Sequence, residues 1–395
     1  MDITLTSLET EHSALLKDKI ASEIASQGGW LPFSKYMEMA LYQPGMGYYS
    51  AGAHKLGAGG DFTTAPELSP LFGAAICSTL LPVLESLKEK GLPTQILEFG
   101  AGTGKLASSI LSRLHDLGFS LDRYDIIEIS PDLAQRQQKH LGSIVKELKL
   151  STQCHWLKEL PKNFKGIMLA NEVIDAIPCD VITYQNGFWY WYGVAFQDGK
   201  LIWKVGSPVE QGLLPESLLG GNFSEGYVTE LHAPANAWIH QVAKHLDTGL
   251  FLTFDYGFPE SEYYHPQRLE GTLMAHHRHH AIQDPFYLPG LCDLTTHIEW
   301  SHIAHSALTE NADDVYLSNQ AAYLLDAGIG DIALEIGNPS DPEIFLPISN
   351  ALQKLLSEAE MGELFKAFAF SKNLDTLLPG FSLEDLPGLR GRNRL

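Results

Sequence analysis

The stretch ILEFGAGTGKLA, residues 96–107, sets a carboxylate, Glu98, directly before a turn containing Gly100, Ala101, Gly102 and Gly104. An apolar run feeding a glycine-rich turn and then a helical pattern is a ligand cradle, because glycines let the backbone approach a bound group. Two phosphate-binding patterns fit poorly. The G-x-x-x-x-G-K-[ST] loop needs Ser or Thr where Leu106 stands, and its leading glycine falls at Phe99. The dinucleotide turn G-x-G-x-x-G needs a third glycine where Lys105 stands. Glu98 would repel a pyrophosphate at short range and suits a cationic ligand.

A strand ending in [DE]-x-G-x-G-x-G resembles the motif of class I methyltransferases. Their cofactor, S-adenosyl-L-methionine, carries a sulfonium, an ammonium and no phosphate. Other segments are expected to deliver polar groups to the same edge, since ligands of open α/β sheets bind beyond the carboxyl ends of the strands. Glu128 closes the run YDIIEI, 124–129, where a carboxylate can accept both hydroxyls of a ribose. Asn171, Glu172 and Asp175 follow GIMLA, 166–170, and Asn171 is counted with both the cofactor and the acceptor groups. An Asn and two acids suit a target amine, amide or guanidinium. A guanidinium arrives charged and must be held by carboxylates. Glu172 and Asp175 lie three apart, so one helical turn would put them on one face. The plainer alternative is a helix N-cap with first-turn acids. Asp255, Tyr256 and His297 are the next acceptor-site candidates.

The elements that must position these groups alternate along the chain. Strands are expected at about 95–99, 124–129, 154–157, 166–170 and 249–257, with helices at about 104–117 and 131–141 between them. Apolar runs of this length imply a parallel sheet covered on both faces. Ahead of it, helical periodicity over 8–27 and about 70–88 reads as an N-terminal cap. Between the fourth and fifth strands, DVITYQ, GFWYWYGVAF and KLIWKV form antiparallel hairpins turning at Asn186-Gly187 and Asp198-Gly199. A polar, His-rich loop spans 258–292, helical patterns fill 300–368, and FKAFAFS makes a last strand. The fold class is α/β, a class I (Rossmann-like) sheet with a helical N-terminal cap, a β-rich insertion and helical C-terminal additions. The expected division is a cap with cofactor lid over 1–90, then a methyltransferase domain over 91–395 with insertions at about 180–230 and 258–365.

The 395 residues hold 27 Lys and Arg against 48 Asp and Glu, a net charge of −21. That balance argues against a nucleic-acid binder, which needs a basic footprint. It accommodates a basic peptide partner. Cys77, Cys154, Cys179 and Cys292 are scattered without a C-x-x-C, as in a reducing compartment. The N-terminus lacks the basic and apolar regions of a signal peptide. No apolar run reaches ~18 residues, so no membrane insertion is expected. The expected location is cytoplasmic. The run HHRHH, 276–280, tempts a metal reading. Metal-binding His pairs on helices are spaced i, i+4 beside a carboxylate. This stretch does not read as a helix, and no metal is expected.

Taken together, the motifs resemble the MidA-like family, which includes the mitochondrial complex I assembly methyltransferase and its bacterial homologues. ALYQPGMGYYSAG and GDFTTAPELSPLFG match its N-terminal signature, ILEFGAGTGKLA its cofactor turn, and ANEVIDAIP its N/H-E-x-x-D-x-x-P segment. DYG, GTL, DPFYLPGLCDLTTHI, LSNQAAYLL and MGELFKAFAFS follow in the family's order. One departure is His276, where the family often has a Tyr, while His279 stands where the family has its His. The resemblance implies S-adenosyl-L-methionine as methyl donor and S-adenosyl-L-homocysteine as product, with Asp61, Phe62 and Thr64 in a cofactor lid hinged at Gly59-Gly60. It further implies protein-arginine N-methylation, by symmetric dimethylation in the mitochondrial member, on a respiratory complex I subunit. The expected partner is a protein with an accessible arginine. The alternatives are a small-molecule or carboxylate methyltransferase, or a cofactor-binding assembly factor without turnover. The oligomeric state stays open.

Overall fold

Between residues 95 and 171, short apolar runs alternate with amphipathic stretches, and in the computed structural model these become strands and helices. The structure describes residues 5–51, 64–220, 222–278, 280–376 and 378–381. The chain divides into two compact units, one drawn from within 63–173, 239–257 and 303–395, the other from within 1–62, 174–238 and 258–302.

The first unit carries the central sheet. Its strand order is Asp314–Asn319, Phe365–Lys372, Leu246–Phe258, Phe164–Asn171, Gln95–Phe99, Arg123–Ile127 and Gln153–Leu157. The five strands from Leu246–Phe258 to Gln153–Leu157 pair in parallel. Phe365–Lys372 is antiparallel to both of its neighbours. The order reverses direction at Gln95–Phe99, and ligands of such sheets bind at that switch point. Phe99 lies opposite Ile127 on one side and Ala170 on the other, and Asn171 lies opposite Phe254. The next residues along, Gly100, Glu128 and Asn171, with Asp255 one strand further, therefore emerge along one edge.

Helices cover this sheet because their apolar positions recur on one face. Lys105–Asp116 buries Leu106, Ala107, Ile110, Leu111 and Leu114. Pro131–Glu147 begins at a Ser130 side-chain cap with Pro at its first position, and runs six residues past the expected end. Pro70–Glu89 packs against Lys105–Asp116. A Cβ on Gly73 would fall 2.6 Å from Ser109 Cβ, so glycine is what permits the close approach. Pro70–Glu89 is long and apolar enough to cross a membrane by length and composition, contrary to the reading of the sequence, but most of its apolar window is buried in the protein. Its place in the sheet unit also sets the division of the chain apart from the expected boundary at residue 90.

The second unit contains helices Ser7–Ser26 and Phe33–Tyr42 and an antiparallel sheet in the order Lys200–Pro208, Phe188–Gln197, Asp180–Gln185, Val228–Leu231. Its two hairpins turn where expected. Asn186 and Gly187 have φ of 52° and 85°, and Asp198 and Gly199 have 51° and 77°, as a tight hairpin turn requires. Two regions depart from expectation. The polar stretch 258–292 contains the hairpin Met274–His277 with His280–Ile282, joined by Asp293–Thr295 into a three-stranded sheet. The supposedly helical stretch 300–368 contains the strand Asp314–Asn319. That strand is at the sheet edge and only partly buried, which explains its weak apolar signal.

Candidate functional site

The glycine turn leaves the strand with Gly100 N–H donating to the Ile127 carbonyl at 3.0 Å, and closes with Gly104 N–H donating to the Ala101 carbonyl at 2.8 Å. Gly100, Gly102 and Gly104 have φ of 59°, 53° and 83°, a region that strains any side chain. A Cβ on Gly100 would crowd Val173 Cγ2 at 3.1 Å, whereas one on Gly102 would meet nothing within 4 Å among the described residues. Among the described residues, Gly102 therefore borders open space. Ala101 is buried in the turn. Helix Lys105–Asp116 starts from Gly104 with no side-chain cap, so its first N–H groups remain available to an anionic group such as a carboxylate.

Glu128 stands one residue beyond its strand. One carboxylate oxygen accepts from Ser130 N–H at 2.9 Å and the other from Gln137 Nε2 at 2.9 Å. Burial pushes its pKa up, against the opposing pull of these donors. Gln137 escaped the sequence analysis. It is one of three glutamines in PDLAQRQQKH, and nothing in that stretch distinguishes it from Gln135 and Gln138. Only the packing shows that Gln137 is fully buried between the turn and Glu128.

Glu98 is not an open anion facing a ligand. It is 2% exposed, and its carboxylate accepts from the Tyr124 hydroxyl at 2.7 Å. Burial pushes its pKa up to about 7, opposed by the Tyr124 hydrogen bond and reinforced by the Glu128 charge. The electrostatic discrimination assigned to Glu98 from sequence is therefore carried by a group that is only partly ionised at neutral pH.

No helix follows the strand Phe164–Asn171, because residues 172–179 form bends and turns. Both helical readings of Glu172 and Asp175, one shared face or first-turn acids, fail for that reason. Glu172 instead takes a left-handed conformation, φ 51°, with its N–H donating to the Phe254 carbonyl at 2.9 Å. Asn171 Nδ2 donates to the Glu172 carboxylate at 3.1 Å. A glutamate at positive φ is a strained residue held by its surroundings.

Asp175 and His297 belong to the other unit. Asp175 is buried, and its carbonyl accepts from Thr296 N–H at 3.0 Å. His297 stacks on Phe258 with ring centroids 5.3 Å apart, and the Arg268 guanidinium lies 4.3 Å from the same ring. Burial, then the Arg268 charge, lowers the His297 pKa to about 4, so its imidazole is neutral at neutral pH. Asp61 and Phe62 lie outside the described residues. Thr64 precedes the short helix Ala65–Leu68. From that helix Glu67 accepts a hydrogen bond from the Thr103 hydroxyl and pairs with Lys105 Nζ at 2.5 Å, tying it to the glycine turn. Among the described residues no three His, Cys, Asp or Glu side chains gather as a metal site.

The residues in the sheet unit suit an adenosyl sulfonium ligand. They offer an open glycine cradle, a helix N-terminus for a carboxylate and an oriented carboxylate for a diol. Comparison with known proteins agrees. The family model for S-adenosyl-L-methionine-dependent methyltransferases matches residues 75–316. The chain is similar to a Burkholderia thailandensis protein whose crystal structure holds S-adenosyl-homocysteine. The two are 45% identical with a TM-score of 0.89, covering 96% of this chain and 97% of that one. A native crystal structure of a Burkholderia thailandensis protein gives 44% identity and a TM-score of 0.86 over the same shares. Among curated proteins, the mitochondrial protein arginine methyltransferase NDUFAF7 of Danio rerio is 28% identical over 378 residues, 89% of this chain and 85% of its own. The Homo sapiens counterpart is 26% identical over 371 residues, 86% and 80%.

Proposed function

The chain belongs to the S-adenosyl-L-methionine-dependent methyltransferases, with the class I fold and that cofactor, and we propose that it methylates an arginine side chain of a protein. The arginine relatives named above support this reading. The observation that carries it is the pair Asn171 and Glu172, a carboxylate oriented by a neighbouring amide at the carboxyl end of the sheet and kept in a strained backbone conformation.

Bound at the glycine turn, the cofactor supplies a methyl group on a positively charged sulfur. Gly102 and Gly104 would let the backbone approach it, and Glu128 would accept its ribose hydroxyls. The first N–H groups of Lys105–Asp116 would face its carboxylate. Glu172 would hold the charged guanidinium and accept the proton that its nitrogen loses as it takes the methyl group. Proximity and orientation of the reacting nitrogen would supply most of the acceleration in such a transfer.

The test is transfer of labelled methyl groups by purified enzyme to two fractions of a cell lysate, proteins and small metabolites, followed by amino-acid analysis of hydrolysed protein. Label in methylarginine is the expected result. Label confined to small metabolites or to base-labile carboxyl esters would reject the arginine reading and leave the methyltransferase assignment standing.

A further inference from the structure

Gln137 is 0% exposed, an unusual place for an amide on an otherwise polar helix. Its Nε2 donates to the Gly102 carbonyl at 2.9 Å and to the Glu128 carboxylate at 2.9 Å. Its Oε1 accepts from the Trp156 indole N–H at 2.8 Å. The orientation of the amide is therefore decided by chemistry. Flipped, its oxygen would face a carbonyl and a carboxylate, while its NH2 would face a donor. Trp156, on the neighbouring strand Gln153–Leu157, anchors the one orientation in which both N–H groups reach the ligand edge.

We infer that Gln137 is a positioning residue for the cofactor: it fixes the rotamer of Glu128 and the path of the Gly102 carbonyl, so that the diol acceptor and the glycine cradle are preset relative to each other. This rests on the reading of Glu128 as the ribose acceptor. A carboxylate free to rotate would have to be ordered on binding, and that ordering weakens affinity. Gln137 supplies the ordering in advance, with Ser130 N–H holding the other carboxylate oxygen. Because Gln137 acts through Glu128, its loss should show in recognition of the ribose.

The test is calorimetric binding of S-adenosyl-L-homocysteine and of its 2′-deoxyribose analogue to wild type, Gln137→Leu, Glu128→Ala and the double variant. Gln137→Leu is expected to weaken S-adenosyl-L-homocysteine about tenfold and to shrink the preference for ribose over deoxyribose. The double variant is expected to bind much more tightly than the product of the two single losses requires, because one effect works through the other. A wild-type ribose preference in Gln137→Leu, or losses that multiply in full, overturns the inference while Glu128 keeps its role. Unchanged affinity in Glu128→Ala removes the ribose reading itself, a separate result. Should Gln137→Leu fail to fold, Trp156→Phe releases only the anchor. A reduced ribose preference there supports the inference, and an undiminished one overturns it.

Discussion

The Tyr124 hydroxyl donates to Glu98 at 2.7 Å between adjacent parallel strands, with both side chains buried. Burial keeps the tyrosine pKa well above its usual range, so the phenol remains a donor. Burial likewise raises Glu98, from 4.5 to about 7.

A pH dependence follows from that pair. Between about pH 4.5 and 7 the native protein binds more protons at Glu98 than the unfolded chain does. The stabilising contribution of the protonated carboxyl is complete below the lower value and is lost as pH rises through the upper one. Glu98→Gln keeps an acceptor for Tyr124 and removes the titration. Denaturant unfolding should show the variant gaining on wild type by about 1–3 kcal/mol between pH 5 and pH 8. Parallel stability curves across that window would contradict the raised pKa.

Gly102→Val places a branched side chain at φ 53° and into the open space beside the turn. The backbone strain should cost about 1–2 kcal/mol of stability. Binding of S-adenosyl-L-homocysteine should be lost in calorimetry while the thermal transition remains cooperative. Retained binding would show that the cradle lies elsewhere.

Glu172 separates stability from function. Glu172→Gln should lower single-turnover methyl transfer about a hundredfold with little change in cofactor affinity, since a charged guanidinium would face a neutral partner. Glu172→Gly relieves the positive φ, so its thermal stability should equal or exceed wild type while turnover falls. A stable, active Glu172→Gly would assign the strained backbone to the turn alone.

The pair between Glu67 and Lys105 offers a contrast, because the Lys105 side chain is 49% exposed. Lys105→Met should change unfolding stability by less than about 1 kcal/mol. A larger loss would mean that the short helix Ala65–Leu68 depends on this contact.

What was legible in the sequence was whatever a local pattern encodes. The run GIMLA is buried from both faces, and continuous apolarity of that kind reads directly as parallel strand. Asn186-Gly187 and Asp198-Gly199 announce their hairpins because few residues tolerate positive φ. The glycine turn and Glu128 were found because strand ends place polar groups at fixed offsets from apolar runs. Tertiary structure decided the rest. The helix expected after Asn171 does not form, and its absence separates Glu172 and Asp175 from the shared face that spacing alone implied. Asp314–Asn319 is a strand because Phe365–Lys372, some fifty residues later, supplies its hydrogen bonds. Glu98 looks like an exposed anion in one dimension, and becomes an acid of raised pKa only because the assembled sheet buries it, against the opposing pull of the Tyr124 hydrogen bond. Gln137 carries no sequence signal at all. Its role depends on three partners, Gly102, Glu128 and Trp156, that are brought to it by a turn and two strands. Hydrogen-bond satisfaction in a buried site is a property of the assembled neighbourhood, and no local pattern of residues contains it.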